Sequence, residues 1–196
     1  MTSTSDIISD GLSKLGRADG GFLEGLVLYS PEYQAGKTKI VGPVFTVKFA
    51  PKSDSSAPKV KDNYIDQIPK DSVVFISQPA PHVNACYGGL MSLRAQILGA
   101  KGVLFARGTG TTAGGAVCFP SEINVDVKLQ SAKQDATISP GGYIIADLDG
   151  VVFLPGDLAE QVLERIPELA AADDRCAEAI RGGMSVQEAF ATFRGK

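Results

Sequence analysis

The stretch YGGLMSLRAQ at residues 87–96, followed by GAKGVLFARG at residues 99–108, decides how this chain is expected to fold. Two glycines open this stretch, and the apolar spacing of residues 90–98 predicts a helix. Short apolar runs at 73–77 and 102–106 predict buried strands on either side of it. A strand, a helix and a second strand in this order predict a βαβ unit, which is a building block of α/β proteins.

Other strands are predicted along the rest of the chain. Residues 39–49 are rich in β-branched and aromatic side chains, which favour a strand. Residues 123–129 alternate between apolar and polar side chains, which predicts a half-exposed strand. Two apolar runs, 143–147 and 151–154, are separated by a turn at Asp149-Gly150 and predict a hairpin.

Helices are predicted close to both ends of the chain. Near the C-terminus, Asp157 with Glu160 and Ser185 with Glu188 have the spacing of a capping box, which marks the start of a helix. Neither an internal repeat nor a linker interrupts the pattern, so we expect one domain spanning residues 1–196.

The composition is that of an ordinary folded protein and excludes several classes of function. Hydrophobic residues make up 44% and charged residues 21%, and the net charge is -3. A weakly acidic chain without a Lys/Arg run is not expected to bind nucleic acid, and no apolar run is long enough to span a membrane. Cys86, Cys118 and Cys176 are odd in number and lack CxxC spacing, which favours reduced thiols in the cytoplasm.

The glycine pair Gly88-Gly89 is the first candidate for a functional site. Free N–H groups at the start of a helix, together with the helix dipole, favour an anion such as a carboxylate. The alternative is a tight strand-to-helix turn in which glycine is needed for a positive φ. The spacing alone does not decide between these two interpretations.

The same stretch resembles the central signature of RraA-like proteins, a family that includes 4-hydroxy-4-methyl-2-oxoglutarate aldolases, and it is most similar to their fungal and yeast branch. Further similar pieces occur in the same order: SDGL at residues 9–12, VKFAP at 47–51, NYID at 63–66 and PGGYIIADLDGVV at 140–152. The resemblance covers nearly the whole chain. It implies an α/β layered sandwich with a mixed sheet or partial barrel and flanking helices, assembled as a homotrimer.

The resemblance also implies a site. In the family, the backbone amides equivalent to Gly89, Leu90 and Met91 hold a substrate carboxylate. A Gly-x-x-Arg-Asp motif after the following strand supplies an arginine that polarises the 2-oxo group and an aspartate that helps to place magnesium or manganese. Such a metal ion acts as a Lewis acid on the enolate that forms when a carbon–carbon bond breaks.

This chain departs from the family pattern after Arg107. The sequence continues GTGTTAGG at residues 108–115, either with Thr109 and Gly110 in place of the Arg-Asp pair or with the whole loop deleted. Threonine and glycine cannot offer a carboxylate to a divalent ion. We therefore expect no metal site and no cofactor.

Other residues are candidates for the missing chemistry. Arg107 can pair with a carboxylate or enolate, and His82, the only histidine, can act as an acid or base. Asp10 is a third catalytic candidate, because it matches an acidic position of the resemblance. The predicted substrate-binding residues lie at the start of the helix, with two further positions outside this start: Gly88, Gly89, Leu90, Met91, Arg94 and Thr109.

Three hypotheses for the function follow. The first is a repurposed, metal-free lyase or isomerase that enolises, decarboxylates, isomerises or cyclises a small anionic or carbonyl compound; a biosynthetic gene neighbourhood would favour it. The second is a conventional divalent-metal aldolase or oxaloacetate decarboxylase with ligands recruited from elsewhere. The third is a non-catalytic binding or regulatory protein, in the way that some relatives inhibit a ribonuclease by contact.

Overall fold

The computed structural model describes residues 3–81, 84–102 and 105–194. In these ranges the helices are α1 (Thr4–Lys14), α2 (Gly89–Ile97), α3 (Gly156–Arg181) and α4 (Val186–Phe193). The strands there are β1 (Val27–Leu28), β2 (Ile40–Pro51), β3 (Val73–Ser77), β4 (Phe105–Ala106), β5 (Cys118–Ile123), β6 (Val127–Lys128), β7 (Thr137–Ile138), β8 (Tyr143–Asp147) and β9 (Gly150–Leu154). Two 3₁₀ turns lie at Tyr64–Gln67 and Gly114–Ala116.

The long strand β2 is the centre of a five-stranded mixed sheet. Its first part, residues 40–43, pairs antiparallel with β8. Residues 44–48 pair parallel with β3, and residues 47–51 pair antiparallel with β5. The β-branched and aromatic side chains of β2 suit a pleated surface covered on both faces, which explains why so much of this strand is buried.

The predicted hairpin is confirmed, and its two sides pack against different clusters of the core. Strands β8 and β9 pair antiparallel, with Asp147 opposite Gly150. Ile145 and Val152 point to a cluster that includes α1 and α3, whereas Ile144 and Val151 point to a second cluster on the other face. Burying each of these side chains contributes about 1.5–3 kcal/mol, so the hairpin joins two parts of the core.

A third cluster forms where α2 packs. Ala95 of α2 is buried there together with Tyr64 and Ile65 of the first 3₁₀ turn, and Val47 of β2 belongs to the same cluster. The opposite face of α2 does not pack on the core: the exposed fraction is 82% for Leu90 and 67% for Ile97. Thus α2 is attached to the sheet by one narrow face.

Two strand predictions need correction. Residues 123–129 do not form one strand, because Asn124 has a φ of 53° and breaks the chain between β5 and β6. The run 102–106 is only partly a strand in the described residues: Gly102 bridges to Val73 in parallel, while β4 pairs antiparallel with β1. The predicted βαβ unit is therefore reduced to β3, α2 and a single bridge.

The predicted fold class is confirmed. The mixed sheet is flanked by helices and does not close into a barrel within the described ranges. The assignment of residues 1–196 to one domain stays a prediction. Among the described residues, every helix is too short or too polar to cross a lipid bilayer.

Candidate functional site

The start of α2 has no side-chain cap. Gly88 is the N-cap residue with φ -141° and ψ -179°, and no side chain of the described residues accepts a capping hydrogen bond from the first-turn amides. Neither Gly88 nor Gly89 has a positive φ, so a turn that needs glycine for its backbone angle is excluded. A Cβ atom built on either residue would have no neighbour within 4 Å among the described atoms. Among the described residues, the glycines therefore leave open space beside the start of α2.

The backbone amides of the first turn have no partner within the helix. The first intrahelical hydrogen bond runs from the Ser92 N–H to the Gly88 carbonyl oxygen at 2.9 Å. The N–H groups of Gly89, Leu90 and Met91 therefore have no acceptor within the helix. These are the amides that the sequence predicts to hold a carboxylate.

The segment that leads into α2 is joined to the altered loop. The Ala85 N–H donates to the Thr112 carbonyl at 2.9 Å, and the Gly114 N–H donates to the Ala85 carbonyl at 2.7 Å. The Asn84 amide donates to the Ala113 carbonyl at 3.3 Å. The end of the Thr-Gly run therefore lies beside residues 84 and 85, a few positions before the glycine pair. Thr109 itself is exposed and makes no hydrogen bond within the described part of the chain.

The two residues before the glycine pair, Cys86 and Tyr87, pack against the core cluster that contains Ala95 of α2. Burial raises the pKa of the Cys86 thiol to about 12, and the neighbouring Cys118 thiol adds to this rise. Burial also raises the pKa of Tyr87, whose hydroxyl has no well-aligned partner in the described ranges although the Ser92 hydroxyl offsets part of the rise. Cys86 is therefore a protonated, half-buried thiol, as its sequence context predicts.

Arg107 is anchored by a loop that the sequence analysis did not single out. Its Nη2 donates to the backbone carbonyl of Glu24 at 2.6 Å, and its Nη1 lies 3.5 Å from Glu24 Oε2. The side chain is 38% exposed, so part of the guanidinium still faces solvent. Within the described residues, no hydrogen bond or ion pair joins Arg107 to the amides at 89–91.

Glu24 is the centre of a small polar cluster. The Ser131 hydroxyl donates to Glu24 Oε2 at 2.7 Å, and Lys133 Nζ lies 3.6 Å from Oε1. The hydrogen bond from Ser131, helped by Lys133 and Arg107, lowers the pKa of Glu24. Glu24 is therefore an ionised hydrogen-bond acceptor at neutral pH. A single glutamate in a loop has no local pattern that reveals such a role, and the neighbouring Gly25 is the only sequence hint.

The remaining candidates lie in other surroundings. Arg94 Nε donates to Asp66 Oδ1 at 2.7 Å, so this side chain is turned to the first 3₁₀ turn. Asp10 lies on α1, where burial raises its pKa and the nearest charges come from Arg194 and Asp173 of the C-terminal helices. The groups around Asp10 are thus not those around Arg107. His82 lies outside the described residues.

Binding of a divalent metal depends on the donor atoms that the chain offers. Magnesium and manganese prefer carboxylate oxygens, but residues 108–115 offer only threonine hydroxyls and backbone carbonyls. No group of three or more His, Cys, Asp or Glu side chains able to hold a metal occurs in the described part of the chain. The Glu24 carboxylate is already held by Ser131 and two cations. These residues do not fit the family's metal ion.

The fold and the site together define a layered α/β protein whose signature helix begins at an uncapped glycine pair. Comparison with known families gives the assignment: the chain belongs to the RraA-like family, whose model, described as aldolase/RraA, matches residues 5–106. The resemblance found in the sequence is therefore confirmed at the level of the family. The match ends at Ala106, directly before Arg107 and the altered loop.

Three individual proteins are similar to this chain. An uncharacterized protein from Pseudomonas syringae pv. tomato is 29% identical, with a TM-score of 0.80 over 95% of this chain and 88% of its own. Streptomyces coelicolor RraAS2, an unusual member of the RNase ES inhibitor RraA family, shares the fold at 18% identity and a TM-score of 0.69 over 93% and 92% of the two chains. Protein DlpA of Legionella pneumophila is 26% identical over 201 residues, which cover 93% of this chain but only 31% of DlpA. The chain thus spans about a third of that curated relative's length.

Proposed function

We propose that this chain is a repurposed RraA-like enzyme that acts without a divalent metal on a small carbonyl or carboxylate compound. Enolisation, decarboxylation, isomerisation or cyclisation of a 2-oxo acid are the reactions that fit its groups. The observation that carries the proposal is the open start of α2. Its glycines have ordinary backbone angles and empty surroundings, so a ligand gives a reason for them that the single chain does not.

In this proposal the substrate carboxylate accepts hydrogen bonds from the amides of Gly89, Leu90 and Met91. The positive end of the helix dipole favours the same charge. These residues would bind and orient the substrate.

Arg107 is the proposed electrophile. Its guanidinium would pair with the 2-oxo group and stabilise the negative charge of the enolate, a role that does not require proton transfer from the arginine. The proton that leaves or joins the substrate carbon needs another group, and His82 is our candidate for it. Asp10 is a weaker candidate, because its neighbours belong to the C-terminal helices.

A second candidate function is regulatory binding to a protein. The outer face of α2 exposes 82% of Leu90, 53% of Leu93 and 67% of Ile97, which is unusual for a monomer surface. RraAS2 belongs to a family of ribonuclease inhibitors, and this chain shares its fold. The metal-dependent aldolase is the less favoured alternative, since the residues present do not fit the ion.

Homotrimer formation and a cytoplasmic location stay predictions. Two apolar residues of the terminal helix are used within the chain: Ala189 is buried and Phe190 packs under Arg194. Light scattering of the purified chain would determine its oligomeric state. If it is a trimer, the exposed face of α2 is the surface we expect to be covered.

The proposed function is tested by Gly89→Val. A valine at Gly89 meets no described atom and needs no unusual φ, so the fold is expected to tolerate it. Its branched side chain would cover the amides, and affinity for pyruvate, oxaloacetate and 2-oxoglutarate should fall by roughly tenfold or more. Calorimetry measures the affinities, and circular dichroism checks the fold.

Gln96→Val is the matched control, because it adds a β-branched residue to an exposed position of the same helix, away from the first turn. Equal affinities for wild type, control and Gly89→Val would contradict the anion site. If wild type binds none of these acids but captures a ribonuclease, the regulatory alternative gains support.

A further inference from the structure

The loop at residues 22–25 holds the guanidinium of Arg107 from two sides. The Glu24 carbonyl accepts from Nη2 at 2.6 Å, and the Glu24 carboxylate lies 3.5 Å from Nη1. One residue therefore contacts both terminal nitrogens of the guanidinium. This arrangement fixes the plane of the group as well as its position.

Gly25 is required for this contact for two independent reasons. Its φ is +79°, a left-handed conformation that side chains rarely adopt. A Cβ atom on Gly25 would also lie only 2.5 Å from Arg107 Nη1. Any larger residue therefore strains the loop and pushes the guanidinium away.

The loop itself is held firmly by its neighbours. The Gln134 side chain accepts from the Glu24 N–H at 3.0 Å and donates to the Phe22 carbonyl at 2.6 Å. The Leu23 N–H donates to the Val151 carbonyl of β9 at 2.8 Å, and Leu23 is buried. The anchor of Arg107 is thus connected to the central sheet rather than to a free loop.

We infer that Glu24 and Gly25 are positioning residues for Arg107, which fix the place and the plane of its guanidinium for the role proposed above. The claim that this positioning serves a substrate rests on the proposed function. The claim that Glu24 and Gly25 hold Arg107 does not, because the accessibility of Arg107 can be measured without a substrate. Two experiments therefore separate the inference from the proposed function.

The first experiment measures how fast phenylglyoxal modifies Arg107, using peptide mass spectrometry on the full chain. Anchoring hinders the reagent, so release of the guanidinium raises the rate. We expect a rise of roughly two- to fivefold for Glu24→Gln, which keeps the carbonyl but removes the charge. For Gly25→Ala, which displaces the guanidinium from the carbonyl, we expect roughly tenfold.

Two control variants match these changes elsewhere. Asp71→Asn removes a carboxylate from the exposed Lys101 ion pair, and Gly16→Ala places a side chain at φ +88° where no atom lies within 4 Å. Both should leave the Arg107 rate unchanged. Equal Arg107 rates in wild type and in both test variants would overturn the inference. Circular dichroism and a modification profile of the other arginines detect a variant that has merely unfolded.

The second experiment is a double-mutant cycle on binding of oxaloacetate by calorimetry. A positioning residue acts through Arg107, so Glu24→Gln should weaken binding in wild type but change it by less than about twofold in the Arg107→Ala background. Full additivity of the two changes would contradict the positioning role. Absence of binding by wild type would instead contradict the proposed function, and the modification rates would still decide the inference.

Discussion

The helices α2 and α4 have similar lengths, but the donors of their first turns are satisfied in different ways. In α4, the Ser185 hydroxyl accepts from the Glu188 N–H, and the Glu188 carboxylate accepts from the Ser185 N–H, both at 3.2 Å. In α2, the N-cap residue is Gly88, which has no side chain to offer. Helix α4 is therefore complete at its start without a ligand. The start of α2 leaves its first amides to water or to a bound group.

Lack of a side-chain cap does not by itself distinguish α2. Helix α3 also begins without one, at Pro155. The difference is access: the first residue of α3, Gly156, lies against the backbone of Gly141, whereas Gly88 and Gly89 have no described atom near them. An uncapped start that is also open is the combination that favours a binding site.

The largest expected effect comes from giving α2 the kind of cap that α4 has. Gly88→Asp fits the extended backbone at Gly88, and its carboxylate would accept from the first-turn amides. Affinity for pyruvate and oxaloacetate should fall by roughly ten- to a hundredfold, because the new carboxylate occupies the donors and repels the anion. The helix should become slightly more stable, by a few tenths of a kcal/mol.

Calorimetry should show the loss of affinity, and urea unfolding should show the gain in stability. Ser53→Asp is the control, since it adds the same charge to an exposed loop. A gain in stability with unchanged affinity would show that the amides of α2 do not bind the acid.

A smaller effect is expected from removing the cap of α4. Ser185→Ala deletes the acceptor for the Glu188 N–H and should lower the free energy of unfolding by about 1 kcal/mol. Affinity for 2-oxo acids should not change, because the cap of α4 makes no contact with the start of α2 in the described residues. Urea unfolding of this variant beside Ser53→Ala would measure the difference. No loss of stability would mean that α4 is held by its packing on α3 alone.

The smallest effect concerns pH. The hydrogen bond from the Ser185 hydroxyl lowers the pKa of Glu188 from its ordinary value of 4.5. A lowered folded-state pKa means that ionised Glu188 adds stability above that ordinary value and loses it as the pH falls through the folded pKa. Glu188→Gln should therefore destabilise the chain more at about pH 7 than at about pH 3, as measured by urea unfolding. An equal loss of stability at both pH values would show that the charge of Glu188 does not contribute to this cap.

The sequence predicts those parts of the fold that are determined by residues close together in the chain. The hairpin β8–β9 follows from two apolar runs and one Asp-Gly turn, and the cap of α4 follows from Ser185 and Glu188. The break at Asn124 is different, because asparagine tolerates a positive φ without disturbing the alternation around it. The predicted box of Asp157 and Glu160 is wrong since the helix starts earlier, at Gly156, which places Asp157 in the first turn instead of at the cap.

The candidate site is predictable only where it is local. Gly88 and Gly89 are adjacent to each other and to the helix they begin, so their spacing reveals them. Glu24 and Arg107 are 83 positions apart and meet only because β1 pairs with β4. Gly25 beside Glu24 hints at a turn but not at the distant partner, and the position of Arg107 relative to its anchor therefore comes from the structure alone.

Strand β2 pairs with three other strands, and this affects how the sheet unfolds locally. A local fluctuation can release β3, β5 or β8 separately, but β2 loses its pairing only when all three partners separate. Thr46 and Val47 lie in its middle and are completely buried. Their amides should exchange with deuterated solvent only after a partner strand separates from β2, whereas those of α2 should exchange through smaller local openings. The signature helix thus belongs to the part of the protein that can move without unfolding the rest.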